Sequence, residues 1–126
     1  MKKVTVENLA KLPTFCHAVV AGDFIYVSGT LGALPGTMNL IDGGTGPETT
    51  QTLKNIEMIL KACGASLADI VKVNVFLADI NTFQKMNEAY QQVMGTDPPA
   101  RITVGRAALA LGAAVEIDCV AYKPQK

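Results

Sequence analysis

The chain has 126 residues, 49% hydrophobic and 17% charged, and its eleven basic residues balance eleven acidic ones. That length reads as one domain over 1–126, able to bury roughly two-thirds of its unfolded surface without a metal or disulfide staple. The composition excludes disorder, no apolar run is long enough to span a membrane, and the missing basic excess makes nucleic acid an unexpected partner.

In chain order, Lys2 and Lys3 come first, and Val4, Val6 and Leu9 then alternate with polar residues. That pattern is no signal-peptide core and allows a short strand near Val4. "AVVAGDFIYVSG" gives two strands, Ala18–Ala21 and Phe24–Ser28, joined by a Gly22-Asp23 turn. The Gly- and Pro-rich run "LGALPGTMNLIDGGTGP" reads as loop. Thr45 and Glu48 stand at capping-box spacing, which predicts a helix from about Pro47 to Cys63. Its buried stripe is Leu53, Ile56, Ile59, Leu60 and Cys63, and Gly64 stops it.

"ADIVKVNVFLADI" alternates as a strand with Val71, Val73, Val75 and Leu77 on one face and Asn74 facing away. Asn81 is expected to cap a second helix, striped by Phe83, Met86, Tyr90, Val93 and Met94, which Gly95, Pro98 and Pro99 end. Two strands follow, near Arg101–Ala107 and Ala113–Lys123, joined by "ALALG". The order is β-β-α-β-α-β-β: an α+β fold, with two helices on one face of a mixed sheet.

Strand parity then sorts the late charges. Val115, Ile117, Cys119 and Ala121 share one face, and Glu116, Asp118, Val120 and Tyr122 the other. If the helices take the apolar side of both last strands, the opposite face carries Arg101, Thr103, Glu116 and Asp118. No remaining segment can cover that face, so it is expected to meet another subunit. A neutral, apolar chain is adhesive as a monomer, which points the same way.

Arg101 is the strongest candidate for chemistry. A guanidinium holds a carboxylate through two parallel hydrogen bonds and stays charged at physiological pH. A surface ion pair at a strand end is the competing reading. Glu116 could orient or deprotonate a water if burial raises its pKa; otherwise it is a salt-bridge partner. Asn87 interrupts the second helix's stripe, and a buried amide must find partners, most simply structural ones. Gly29, in "VSGT", lets a ligand or another backbone approach closely.

The sole histidine, His17, adjoins Cys16, but extended neighbours point to opposite faces and form no nucleophile–base pair. His17 reads as polar rim and Cys16 as packing. Cys16, Cys63 and Cys119 show no C-x-x-C spacing, so neither a zinc site nor a disulfide framework is expected. Reduced thiols in a cytoplasm are the simpler reading. "GGTGP" lacks the spacing and lysine of a phosphate loop and reads as a turn.

"FIYVSGTLG", the span from "TLKNIEMILKACG" to "MNEAY", and "PPARITVG" with "VEIDCVAY" together resemble the RidA (YjgF) family of imine and enamine deaminases. Pro99-Ala100-Arg101 and Glu116-Ile117 are the most specific match. The resemblance implies a homotrimer with a chorismate-mutase-like fold and clefts between subunits. It further implies hydrolysis of 2-imino acids and their enamines to 2-keto acids and ammonia, with no metal or organic cofactor. Arg101 would grip the substrate carboxylate and Glu116 would serve the attacking water. Ser28, Gly29 and Asn87 would line the pocket. Phe15 stands where well-known members have tyrosine, and Thr103 where they have cysteine, which bears on substrate range. A non-catalytic carboxylic-acid-binding or chaperone-like protein is the alternative, and an endoribonuclease is disfavoured by the neutral charge.

Overall fold

A computed structural model describes residues 1–124; the last two positions of the 1–126 span lie outside the described residues. The strands are β1 (Lys2–Val4), β2 (Ala18–Ala21), β3 (Phe24–Thr30), β4 (Ile70–Leu77), β5 (Ala100–Val104) and β6 (Val115–Tyr122). The helices are α1 (Thr45–Ala62) and α2 (Phe83–Met94). One six-stranded sheet runs β1-β2-β3-β6-β4-β5. Only β4 and β5 pair in parallel, as the α2 crossover between them requires.

The core lies between the sheet and the two helices. Leu53, Ile56, Ile59 and Leu60 of α1 and Met86 and Tyr90 of α2 pack on Ile25, Val73, Val75, Ile117 and Cys119. Gly64 ends α1 as expected, because its φ of 79° suits a residue without Cβ. The short strand near Val4 is present, paired with β2.

Several local expectations need correcting. Helix α1 begins at Thr45, two residues early, with Gly44 at the cap and no side-chain capping bond. Glu48 is buried, and its Oε1 accepts from the Ala114 amide at 2.9 Å, so it ties the helix start to the approach of β6. Asp79, not Asn81, provides a cap: its carboxylate accepts from the Asn81 amide, opening a 3-10 turn that runs into α2. Val71 leaves the buried row because a register shift between Ile70 and Lys72 puts Ile70 in the core and Val71 outside. Strand β5 stops at Val104 and β6 starts at Val115, inside the predicted bounds. Between them Arg106 and Leu111 have positive φ.

The largest correction concerns β5. Its register pairs Arg101 with Val73 and Thr103 with Val75, and those valines face the helices. Arg101 and Thr103 therefore lie on the helix side, while Ile102 (52% exposed) and Val104 (40%) lie on the helix-free side. Glu116 and Asp118 alternate with the buried Val115, Ile117 and Cys119, so they do occupy the helix-free side. The four polar residues expected on one face are split between two. An edge strand tolerates this, because a long cation emerging at the sheet margin keeps access to water.

Candidate active site

Two clusters of polar side chains lie on opposite sides of the sheet. The first surrounds a cleft of about 530 Å³ at the end of β3. Its walls come from the segment around Leu9–Phe15, the hairpin-like loop after Thr30, and Ala110–Leu111. Phe15, Ser28, Gly29 and Glu116 all line it, so four predicted site residues are gathered here.

Gly29 earns its place by close approach. A Cβ there would collide with Glu116 Oε2 and lie 3.1 Å from Glu116 Cδ. The β3–β6 register is irregular between Val27 and Thr30, so the carboxylate lies against bare backbone where the ladder breaks. Burial, and secondarily the Asp118 carboxylate, push the Glu116 carboxyl above its ordinary range. Asp118 itself accepts from Asn74 Nδ2 at 2.7 Å, the structural role expected of Asn74. The Ser28 hydroxyl donates to the Cys16 carbonyl at 2.6 Å, which leaves its oxygen only as an acceptor.

Sequence reasoning missed two residues that shape the cleft. His17 is buried, not rim: Nδ1 accepts from the Val6 amide at 2.9 Å, which leaves the protonated Nε2 to donate to the Ala10 carbonyl at 2.8 Å. It pins the amino-terminal wall. Asn55 Nδ2 donates to the Leu31 and Ala33 carbonyls and holds the opposite loop. Asn55 stands one position before Ile56 and two after Leu53 of the buried stripe, a weak signal; His17 offered only its singularity.

The second cluster centres on Arg101. Its Cζ stands over the Tyr90 ring at 4.7 Å and the Phe83 ring at 5.7 Å, and Nη1 is 4.0 Å from Met86 Sδ. Among the described residues it has no carboxylate partner, so the competing reading, a surface ion pair, finds no support there. Thr103 Oγ1 and Tyr90 OH are buried here without a hydrogen-bond partner. Asn87 is half-buried on the same helix and outside the cleft. Arg101, Thr103 and Asn87 are thus not brought to Glu116 within one protomer.

Two of the three thiols are poor nucleophiles in their surroundings. Cys119 is buried and its thiol is pushed up to about 12, first by burial and then by Asp118; burial also raises Cys63. No group of three or more potential metal ligands occurs among the described residues.

A carboxylate held above its usual pKa against bare backbone, with an unneutralised guanidinium presented elsewhere, suits a small anionic substrate and water. The family description "Endoribonuclease L-PSP" matches residues 5–123, and the chain belongs to that family, the RidA/YjgF family. The human 2-iminobutanoate/2-iminopropanoate deaminase is 42% identical over 122 residues, covering 94% of this chain and 89% of that protein. A RutC family protein of Pyrococcus horikoshii is 38% identical, covering 98% of this chain and 99% of its own. The crystal structure of RidA from the Antarctic bacterium Psychrobacter sp. PAMC 21119 superposes with a TM-score of 0.90 at 36% identity. That match covers 97% of this chain and 99% of the other.

Proposed function

We propose that this chain forms a cytoplasmic homotrimer, of chorismate-mutase-like arrangement, that hydrolyses reactive 2-imino acids and their enamines to 2-keto acids and ammonia. The observation that carries the reading is the split site. Arg101 and Glu116 occupy opposite sides of the sheet, and neither has a charged partner among the described residues. One protomer cannot join them, but two copies can. Strand β5 is the sheet edge, so Arg101, on the helix side, stands at the sheet margin, where it can meet a neighbour's cleft.

That face is apolar enough to be covered. Ile102, Val104, Phe24, Tyr26 and Tyr122 are exposed on it, and Phe24 contacts Tyr122 ring to ring at 5.2 Å. Light scattering coupled to size exclusion is expected to give about three chain masses. A monomer at micromolar concentration would remove the inter-subunit site.

In the assembled cleft, Arg101 fixes the substrate carboxylate through its paired N–H donors. Glu116 from the neighbour accepts a proton as water adds to the imine carbon. Glu116 returns that proton to the nitrogen of the carbinolamine, the C–N bond breaks to release ammonia, and the hydroxyl gives up its proton as the carbonyl of the 2-keto acid forms. The imine is already electrophilic, so positioning and water delivery supply most of what is needed. Phe15, Ser28, Gly29, Asn87 and Thr103 complete the binding surface. Thr103 excludes a thiol step at its position, and Phe15 brings no hydroxyl.

The test is an imine generated in situ by an amino-acid oxidase, with 2-keto acid release followed in the presence and absence of the protein. Acceleration across several amino-acid-derived imines is expected. Saturable binding of a carboxylic acid without turnover would favour the non-catalytic alternative.

A further inference from the structure

We propose, on the reading of Arg101 as the carboxylate clamp, that the rings of Tyr90 and Phe83 are its positioning residues, fixing the guanidinium without neutralising it and with one weak donation, Nη1 to the Met86 sulfur, drawn from its donors. Arginine carries several rotors, and ordering them on binding opposes affinity. A carboxylate could hold such a side chain, but it would also neutralise it and occupy the paired donors. Nothing of that kind holds Arg101 among the described residues. Strand β5 has a neighbour on one side only, so the sheet gives little lateral support.

What touches the guanidinium is one stripe of α2. Phe83, Met86 and Tyr90 stand at i, i+3 and i+7, a single helical face. Two aromatic rings flank the cation, and Nη1 donates weakly to the Met86 sulfur. Ring faces attract a cation through their quadrupole and accept no in-plane N–H bond, so the fork stays available. The same stripe continues through Val93 and Met94 into the hydrophobic core, which anchors the aromatic platform to a rigid element.

Tyr90 is buried, yet its hydroxyl has no partner among the described residues. Its ring, not a hydroxyl bond, is therefore what this position uses. A leucine would keep an apolar, though smaller, side chain in the core but give no cation-binding face.

The experiment is isothermal titration with 2-oxobutanoate and, separately, with its methyl ester, which lacks the anionic group. Tyr90→Leu is expected to weaken the keto acid about tenfold and Phe83→Leu about threefold, with the ester unchanged in both. Tyr90→Phe, which keeps the ring, should recover most of the loss. In an Arg101→Ala background, Tyr90→Leu should cost nothing further for the keto acid.

Undiminished keto-acid affinity in both ring variants, beside a crippled Arg101→Ala, overturns the positioning role alone. So does an equal loss of acid and ester, or a full additional loss in the double variant. Parental affinity in Arg101→Ala overturns the clamp, and the positioning role with it. Should Tyr90→Leu fail to fold, Phe83→Leu decides, because its ring is partly exposed and its loss leaves the core intact.

Discussion

Arg101→Ala is expected to lower kcat/KM for imino-acid hydrolysis by about a hundredfold or more while leaving the oligomeric mass unchanged. A charge-assisted bidentate contact is roughly twice as strong as a neutral one, and about 2.7 kcal/mol corresponds to a hundredfold in rate. The side chain lies at a sheet edge over two rings and is not itself a member of the apolar core, so its removal deletes no core residue. Arg101→Lys should recover little, because an ammonium is a point charge that cannot reproduce the fork. A purely structural arginine makes the opposite forecast: a lowered melting temperature with the rate intact. Measuring both quantities on the same preparation separates the two. A variant of parental mass that hydrolyses imines at the parental rate would refute the clamp.

The second large effect is expected at Glu116. If its carboxylate accepts the proton of the attacking water, Glu116→Gln should slow turnover by roughly a hundredfold to ten-thousandfold while affecting keto-acid binding less. The pH dependence follows from the raised pKa. The reactive form is the carboxylate, so parental activity should fall on acidification through a midpoint above that of a free glutamate. Asp118→Asn should move that midpoint down, since Asp118 is the secondary cause of the shift.

Stability runs the other way. Folding favours protonated Glu116, so its stabilising contribution is full below the unfolded pKa and is lost as pH rises through the folded one. Glu116→Gln should therefore melt higher than the parent at neutral pH, with the gap closing in acid. Slower turnover joined to higher stability marks a group held in a costly state for function. Unchanged turnover in Glu116→Gln, with the acid limb still present, would end the base assignment.

Together these expectations describe a site assembled from two incomplete halves. The cleft half has a carboxylate beside bare backbone, walls pinned by His17 and Asn55, and an apolar mouth that includes Phe15 and Leu111. The β5 half has a cation, two buried hydroxyls without partners among the described residues and an aromatic platform. On the proposed reading, the clamp and the base come from different halves.

Much of the fold was legible in the chain. The 3.6-residue stripes of α1 and α2 and the alternation of β3 and β6 were long enough to fix those elements to within a few residues. The family was legible too, because Pro99-Ala100-Arg101 and Glu116-Ile117 sit at a characteristic spacing. Short-range features fared worse. Asp79 competed with Asn81 for the turn before α2, and Glu48 found the Ala114 amide instead of its own helix start. A bulge expelled Val71, which no alternation pattern can foresee.

The face of Arg101 was beyond the sequence altogether. A period of two determines which residues of a strand share a face: Arg101 with Thr103, Ile102 with Val104, Glu116 with Asp118. It leaves open which of those faces turns to the core. Apolar content argued for burying Ile102 and Val104, and in an isolated strand that argument would win. The parallel pairing of β5 with β4 instead sets Arg101 beside Val73, beneath the aromatic stripe of α2. Pairing register is a property of two segments brought together, and a shift of one residue would have exchanged every side chain between the faces.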